Sequence, residues 1–190
     1  MSTIVGVLSI LEGALPKEAE RLWQVFDRQY GSIVVRSFDY PHLTFQGGQC
    51  DDVVSLRHDL SCLCRKLTPF TVVVDGWDCF RPANVVFLDV VPTDQLLRVH
   101  QAISELLRRH SGQLLPRYLP ARWHPHITVA MGDLSDEMLA RALSDLSEYH
   151  PKYQQEFSTL SLVQRVHEAQ HVDLVASFEL SGPQGGAAVC

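Results

Sequence analysis

No stretch of this sequence approaches the roughly 20 consecutive apolar residues that a membrane-spanning helix needs, so a bilayer-crossing helix is excluded. Positive charge is in short supply as well. Lys and Arg number 16 against 22 Asp and Glu, leaving a formal charge of −6. Holding long nucleic acid by bulk electrostatics requires a basic face and is therefore not expected. A small nucleotide or a short RNA end is still compatible, because local positive charge can sit inside an acidic protein. Cysteines are few and odd in number (Cys50, Cys62, Cys64, Cys79, Cys190) and include no CxxC pair. They read as reduced thiols of a cytoplasmic protein rather than a disulfide framework. Cys62 and Cys64 lie within the apolar run Val53, Leu56, Leu60, Leu63, Leu67. On a helix the two thiols would diverge by about 200°, which favours packing over metal binding. The opening MSTIVGVLSILEGALP has no basic start, and Glu12 closely follows its apolar run, so it reads as a first strand rather than a signal peptide.

What is present fits one globular domain: apolar residues make up 46% and charged residues 20% of 190 positions. Residues 3–11 read as a buried strand. Residues 16–31 read as a helix with Pro16 in its first turn and Gly31 as its stop. A short extended segment ends at Gly47-Gly48, and 51–67 is a second helix. Residues 69–80 give strands on either side of Gly76. The order then recurs, with a strand at 84–91, a helix at 93–110 and a Pro-bearing loop over 111–123. After another extended segment comes a helix at 135–150 capped by Ser135. Strands near 157–166 and 172–180, joined through a turn around His167–His171, close the domain, and 181–190 is a flexible tail. The expected fold is α+β: a single bilobal domain over 1–180, with one lobe at about 1–82 and the other at about 83–180. Each lobe is a mainly antiparallel sheet flanked by helices, with a central cleft between them.

The strongest signal is a repeated phrase. Residues 40–45 read YPHLTF and residues 124–129 read HPHITV. At this composition two chance copies of P-H-x-T have a probability on the order of 10⁻⁴. The two histidines, His42 and His126, are 84 positions apart, close to half the chain. Side chains alternate along a strand, so His42 shares a face with Thr44, and His126 with Thr128, while Leu43, Phe45, Ile127 and Val129 turn to the core. If a pseudo-twofold brings the strands together, two imidazoles and two hydroxyls converge. That set suits a phosphodiester. One neutral imidazole takes a proton from the attacking oxygen, the other, protonated, gives one to the leaving oxygen, and the hydroxyls donate to the non-bridging oxygens.

The doubled H-x-T-apolar motif, its separation and the strand–helix order resemble the 2H phosphoesterase superfamily. Within it the chain looks most like the 2′-5′ RNA ligase-like and cyclic-nucleotide phosphodiesterase branch, over roughly residues 1–180. The resemblance implies catalysis by His42, Thr44, His126 and Thr128 on a 2′,3′-cyclic phosphate or a 2′-5′ linkage of a nucleotide or short RNA end, with no metal or other cofactor. A monomer without membrane contact is the accompanying expectation. One departure follows the second motif: Ala130-Met131-Gly132 stand where several bacterial RNA ligase-like members carry an arginine, which weakens the link to ligation and to large RNA partners.

Further candidates surround the motifs. Tyr40 and His124 hold equivalent positions, either lining the cleft or sitting idle at its rim. Arg117, Tyr118 and Arg122 precede the second motif and are placed to meet a phosphate or a base. Trp123 can stack on a base, but its strand parity is opposite to that of His126, which suits a core role equally well. The remaining histidines, His58, His100, His110, His150, His167 and His171, read as surface residues. Two other readings stand beside the leading one. His124 and His126 form H-x-H on one face, and with His42 they make a three-histidine set for a metal-dependent hydrolase. Alternatively, the lobes bind nucleotides without catalysis.

Overall fold

The computed structural model describes residues 3–165 and 172–182; the turn expected around His167–His171 and positions 183–190 of the expected tail lie outside them. The elements run β1 (Thr3–Ile10), α1 (Leu15–Tyr30), β2 (His42–Cys50), α2 (Val53–Cys64), β3 (Phe70–Phe80), β4 (Val85–Val90), α3 (Asp94–His110), β5 (Ser111–Leu114), β6 (His126–Ala130), α4 (Asp136–Asp145), β7 (Lys152–Phe157), β8 (Thr159–Arg165) and β9 (Val172–Glu179). Short 3₁₀ turns lie at Val34–Ser37 and Pro116–Tyr118.

The local signals behave as the sequence suggests. α1 carries Pro in its first turn and ends at Gly31, whose φ of 70° lets its N–H bond back to the carbonyl of Asp27. Ser135 caps α4 by accepting from the Met138 amide. α1 and α3 bury one stripe each, Leu22, Phe26 and Tyr30 on the first and Leu96, Val99, Ile103 and Leu107 on the second.

All strands belong to one antiparallel sheet in the order β7-β3-β4-β6-β2-β1-β8-β9, with β5 added on β2. The α+β class with antiparallel strands and flanking helices is as expected. The sheet halves are not the sequence halves, however. β3 from the first half pairs with β4 and β7, whereas β8 and β9 extend the side that begins with β1. The boundary expected near residue 82 thus falls inside the β3–β4 hairpin.

Four elements differ from the sequence reading. β2 does not stop at Gly47-Gly48 but passes through them to Cys50, because neighbouring backbones come too close there for a side chain. A Cβ on Gly47 would lie 2.8 Å from the Val5 carbonyl, and one on Gly48 would lie 2.8 Å from that of Gln113. Residues 70–80 form one strand with a register shift between Val74 and Trp77, where Gly76 has φ 94°. The loop expected over 111–123 contains β5 and a 3₁₀ turn. Finally, α4 ends at Asp145, and the edge strand β7 follows it.

Candidate active site

β2 and β6 meet through the Cα partners Leu43 and Ile127, the central residues of the two motifs. Both are fully buried, as are Phe45 and Val129, so the alternating His and Thr side chains point to the opposite face. Antiparallel direction sets His42 across from Thr128 and Thr44 across from His126. The pseudo-twofold therefore passes through the 43/127 pair.

Three hydrogen bonds repeat on either side of it. Pro41 O accepts from Leu11 N (3.0 Å), and Pro125 O accepts from Val90 N (3.3 Å). The Nδ1 of His42 lies 3.0 Å from Tyr40 O, and that of His126 lies 2.7 Å from His124 O. Trp123 Nε1–H donates to Thr44 O (3.0 Å), and Trp23 Nε1–H donates to Thr128 O (3.1 Å). A carbonyl can only accept, so each histidine places its N–H at Nδ1 and keeps Nε2 as a lone-pair nitrogen. The two motifs are thus held as two copies of one local geometry.

His42, Thr44, His126 and Thr128 all line one cavity of about 470 Å³. Burial holds both imidazoles below the ordinary range. His126 lies at about 4, where the nearby His124, His42 and Arg117 add to the effect of burial. Both are therefore neutral at pH 7.

The other candidates separate. His124, Arg117, Arg122 and Tyr118 line the cavity, and the Tyr118 side chain faces Thr44. His124 Nε2 lies 2.8 Å from an Asp89 oxygen, which makes it a paired rim residue. Tyr40 is not in the lining; its ring stands 6.4 Å from that of His42. Trp123 is core, stacked on His100 with ring centroids 3.9 Å apart.

Two histidines read as surface residues are not. His100 is 2% exposed and Nε2 sits 2.9 Å from Tyr118 O. It occupies the buried stripe of α3, four residues after Leu96 and three before Ile103, a spacing that the sequence already carried. His110 is largely covered and pairs with Asp59 at 2.9 Å. Among the described residues, no three or more His, Cys, Asp or Glu side chains form a group that could hold a metal ion.

Several lining residues were missed. Phe38 packs on His42 with centroids 4.6 Å apart, and Phe80 packs edge-on to His126 at 4.9 Å. Trp23, Val35 and Met131 complete the apolar wall. Phe38 shares parity with Tyr40 and His42, which is a faint signal. Phe80 has none, because β3 nears β6 only through β4. The segment bearing Phe38 is tied to the end of the second motif: Asp133 accepts from Ser32 Oγ (2.6 Å), Ile33 N (2.6 Å) and Val34 N (2.9 Å).

A family model agrees with this architecture. The chain belongs to the 2′-5′ RNA ligase superfamily, whose model matches residues 12–169, and the resemblance to 2H phosphoesterases stands. Among solved structures it is similar to TT0787 of Thermus thermophilus (TM-score 0.64, 16% identity, 94% of this chain and 98% of that one). It is also similar to E. coli LigT complexed with 3′-AMP (TM-score 0.60, 15% identity, 95% and 98%). At these identities the likeness is one of fold. No curated protein matches the chain.

Proposed function

We propose that this protein is a metal-independent phosphodiesterase that acts on a 2′,3′-cyclic phosphate or a 2′-5′ phosphodiester of a nucleotide or short RNA, with His42 and His126 as acid and base. The observation that carries this reading is the matched pair of imidazoles, each committed through Nδ1 to a backbone carbonyl and each lining one cavity beside a threonine.

The mechanism follows from that placement. One imidazole, kept neutral because burial holds it below its ordinary range, serves as the base: its Nε2 removes a proton from the attacking water as the water oxygen bonds to phosphorus. An anionic diester between the imidazoles raises their proton affinity, and the other histidine takes up the proton it delivers to the leaving ribose oxygen as the P–O bond breaks. Thr44 and Thr128 donate to the non-bridging oxygens as charge develops there. E. coli LigT, which shares the fold, is known in complexes with 3′-AMP, ATP and NADP⁺, in keeping with a nucleotide ligand.

The test is hydrolysis of the four nucleoside 2′,3′-cyclic monophosphates and of a 2′-5′-linked dinucleotide, with and without EDTA. His42→Ala and His126→Ala are each expected to lose about 10²–10⁴-fold in kcat/KM, with wild-type turnover indifferent to EDTA. Turnover that survives both substitutions, or that EDTA abolishes, would refute the reading. The second outcome would point to a metal-dependent site around His124.

A further inference from the structure

We propose that Arg117 and Arg122 form a second anion subsite in the same cavity, one that takes a 5′-phosphate of the substrate rather than the diester being cleaved. The inference rests on the phosphodiesterase reading and specifies its substrate class: nucleotides or RNA ends that carry a 5′-phosphate.

The charge balance of the cavity is the first argument. Both guanidinium-bearing residues are exposed yet line the cavity, and among the described residues no Asp or Glu lines it with them. Three other arginines pair with carboxylates: Arg21 with Glu18, Arg36 with Asp27 and Arg141 with Asp145. Among the described residues neither Arg117 nor Arg122 has such a salt bridge, although Arg117 also lies over the Tyr118 ring at 6.0 Å. Two positive charges, with a third when one histidine is protonated, exceed the single negative charge of a diester. A phosphomonoester brings a further charge of about −1.5 to −2 and a ring of acceptor oxygens that suits paired guanidiniums.

Position is the second argument. The motif side chains project from the β2–β6 seam, where Leu43 meets Ile127, and their two hydroxyls already serve the non-bridging oxygens of one phosphate. The arginines come from a different element, the loop between β5 and β6. That loop is fixed to the sheet and to α3. Leu115 N donates to Gly47 O (2.8 Å), Gln46 Nε2 donates to Tyr118 O (2.8 Å), and His100 Nε2 meets the same carbonyl at 2.9 Å. The arginines therefore stand on a built platform. On a ribose whose 2′ and 3′ oxygens are engaged by a cyclic diester, the only hydroxyl left to carry another phosphate is the 5′ one.

The experiment compares kcat/KM for adenosine 2′,3′-cyclic monophosphate with and without a 5′-phosphate, using wild type and R117Q/R122Q. Wild type is expected to favour the 5′-phosphorylated substrate by about tenfold or more, and the double variant to bring that ratio close to one. A wild-type ratio near one overturns the inference. So does an equal loss on both substrates, which would assign the guanidiniums to the scissile phosphate. If neither compound is hydrolysed, the cyclic-phosphate form of the phosphodiesterase reading fails, and calorimetric binding of 5′-AMP and adenosine decides the subsite separately. Tighter 5′-AMP binding that the variant abolishes upholds it, and equal binding of the two overturns it.

Discussion

His42 and His126 each hold their Nδ1–H on the carbonyl two residues upstream, and burial keeps both below the ordinary imidazole pKa near 6.5. The proposed acid–base mechanism needs one proton on the pair, with one imidazole free and the other charged. In the free enzyme that form is populated only below the ordinary 6.5, because burial depresses both values. The pH profile of kcat/KM is therefore expected to be a bell on the acidic side of neutrality. The profile of kcat is expected to shift upward, because the bound anionic diester raises both values. Steady-state rates across pH 4–9 check this, and a kcat/KM that keeps rising past pH 8 would contradict it. Stability follows the same sign. The unfolded chain takes up protons on these histidines from about pH 6.5 downward, while burial in the folded protein makes both resist to lower pH, His126 to about 4. Their contribution is thus complete above pH 6.5 and falls away as pH drops. The two indole bonds to Thr44 O and Thr128 O belong to this scale as well, since each fixes the carbonyl of a motif threonine.

The element most misjudged by its own sequence is β2. Gly-Gly ordinarily punctuates a strand, yet here it is what lets β1 and β5 flank β2 at close range. Gly47→Ala is expected to cost about 1–3 kcal/mol through overpacking against the Val5 carbonyl and the Leu115 side chain. It should also lower activity, because Gly47 O anchors the loop that carries Arg117 and Arg122. Gly112→Ala, with open space at its Cβ, is the matched control and should be near neutral. Urea midpoints and kcat/KM of both variants measure the difference; equal behaviour would contradict the argument. α1, α3 and the start of α4 were legible because caps and apolar stripes are local. β7 was not, since Lys152, Gln154 and Glu156 alternate with half-buried residues on an edge strand whose partner, β3, lies some 80 positions earlier.

At the scale of the molecule, the sheet order binds the two halves of the chain together. β3 is flanked by β4 and β7, and β1 by β2 and β8, so neither 1–82 nor 83–182 holds a complete half-sheet. Expressed separately, each fragment is expected to lack a cooperative unfolding transition in circular dichroism, and refolding the two together is expected to restore one. A fragment that folds alone would show that the sequence halves are structural units after all. The sequence by itself determined the doubled motif, the inward and outward alternation of its residues, and the chemistry that two histidines and two threonines can perform. Those follow from the period of a strand and from the pKa of imidazole, which need no partner. Only the tertiary structure decided that Trp123 grips the first motif rather than the cavity, and that Phe38, Phe80 and two arginines share a cavity with the motifs. These depend on which strands become neighbours, and that is fixed by non-local pairing between segments that the chain keeps far apart.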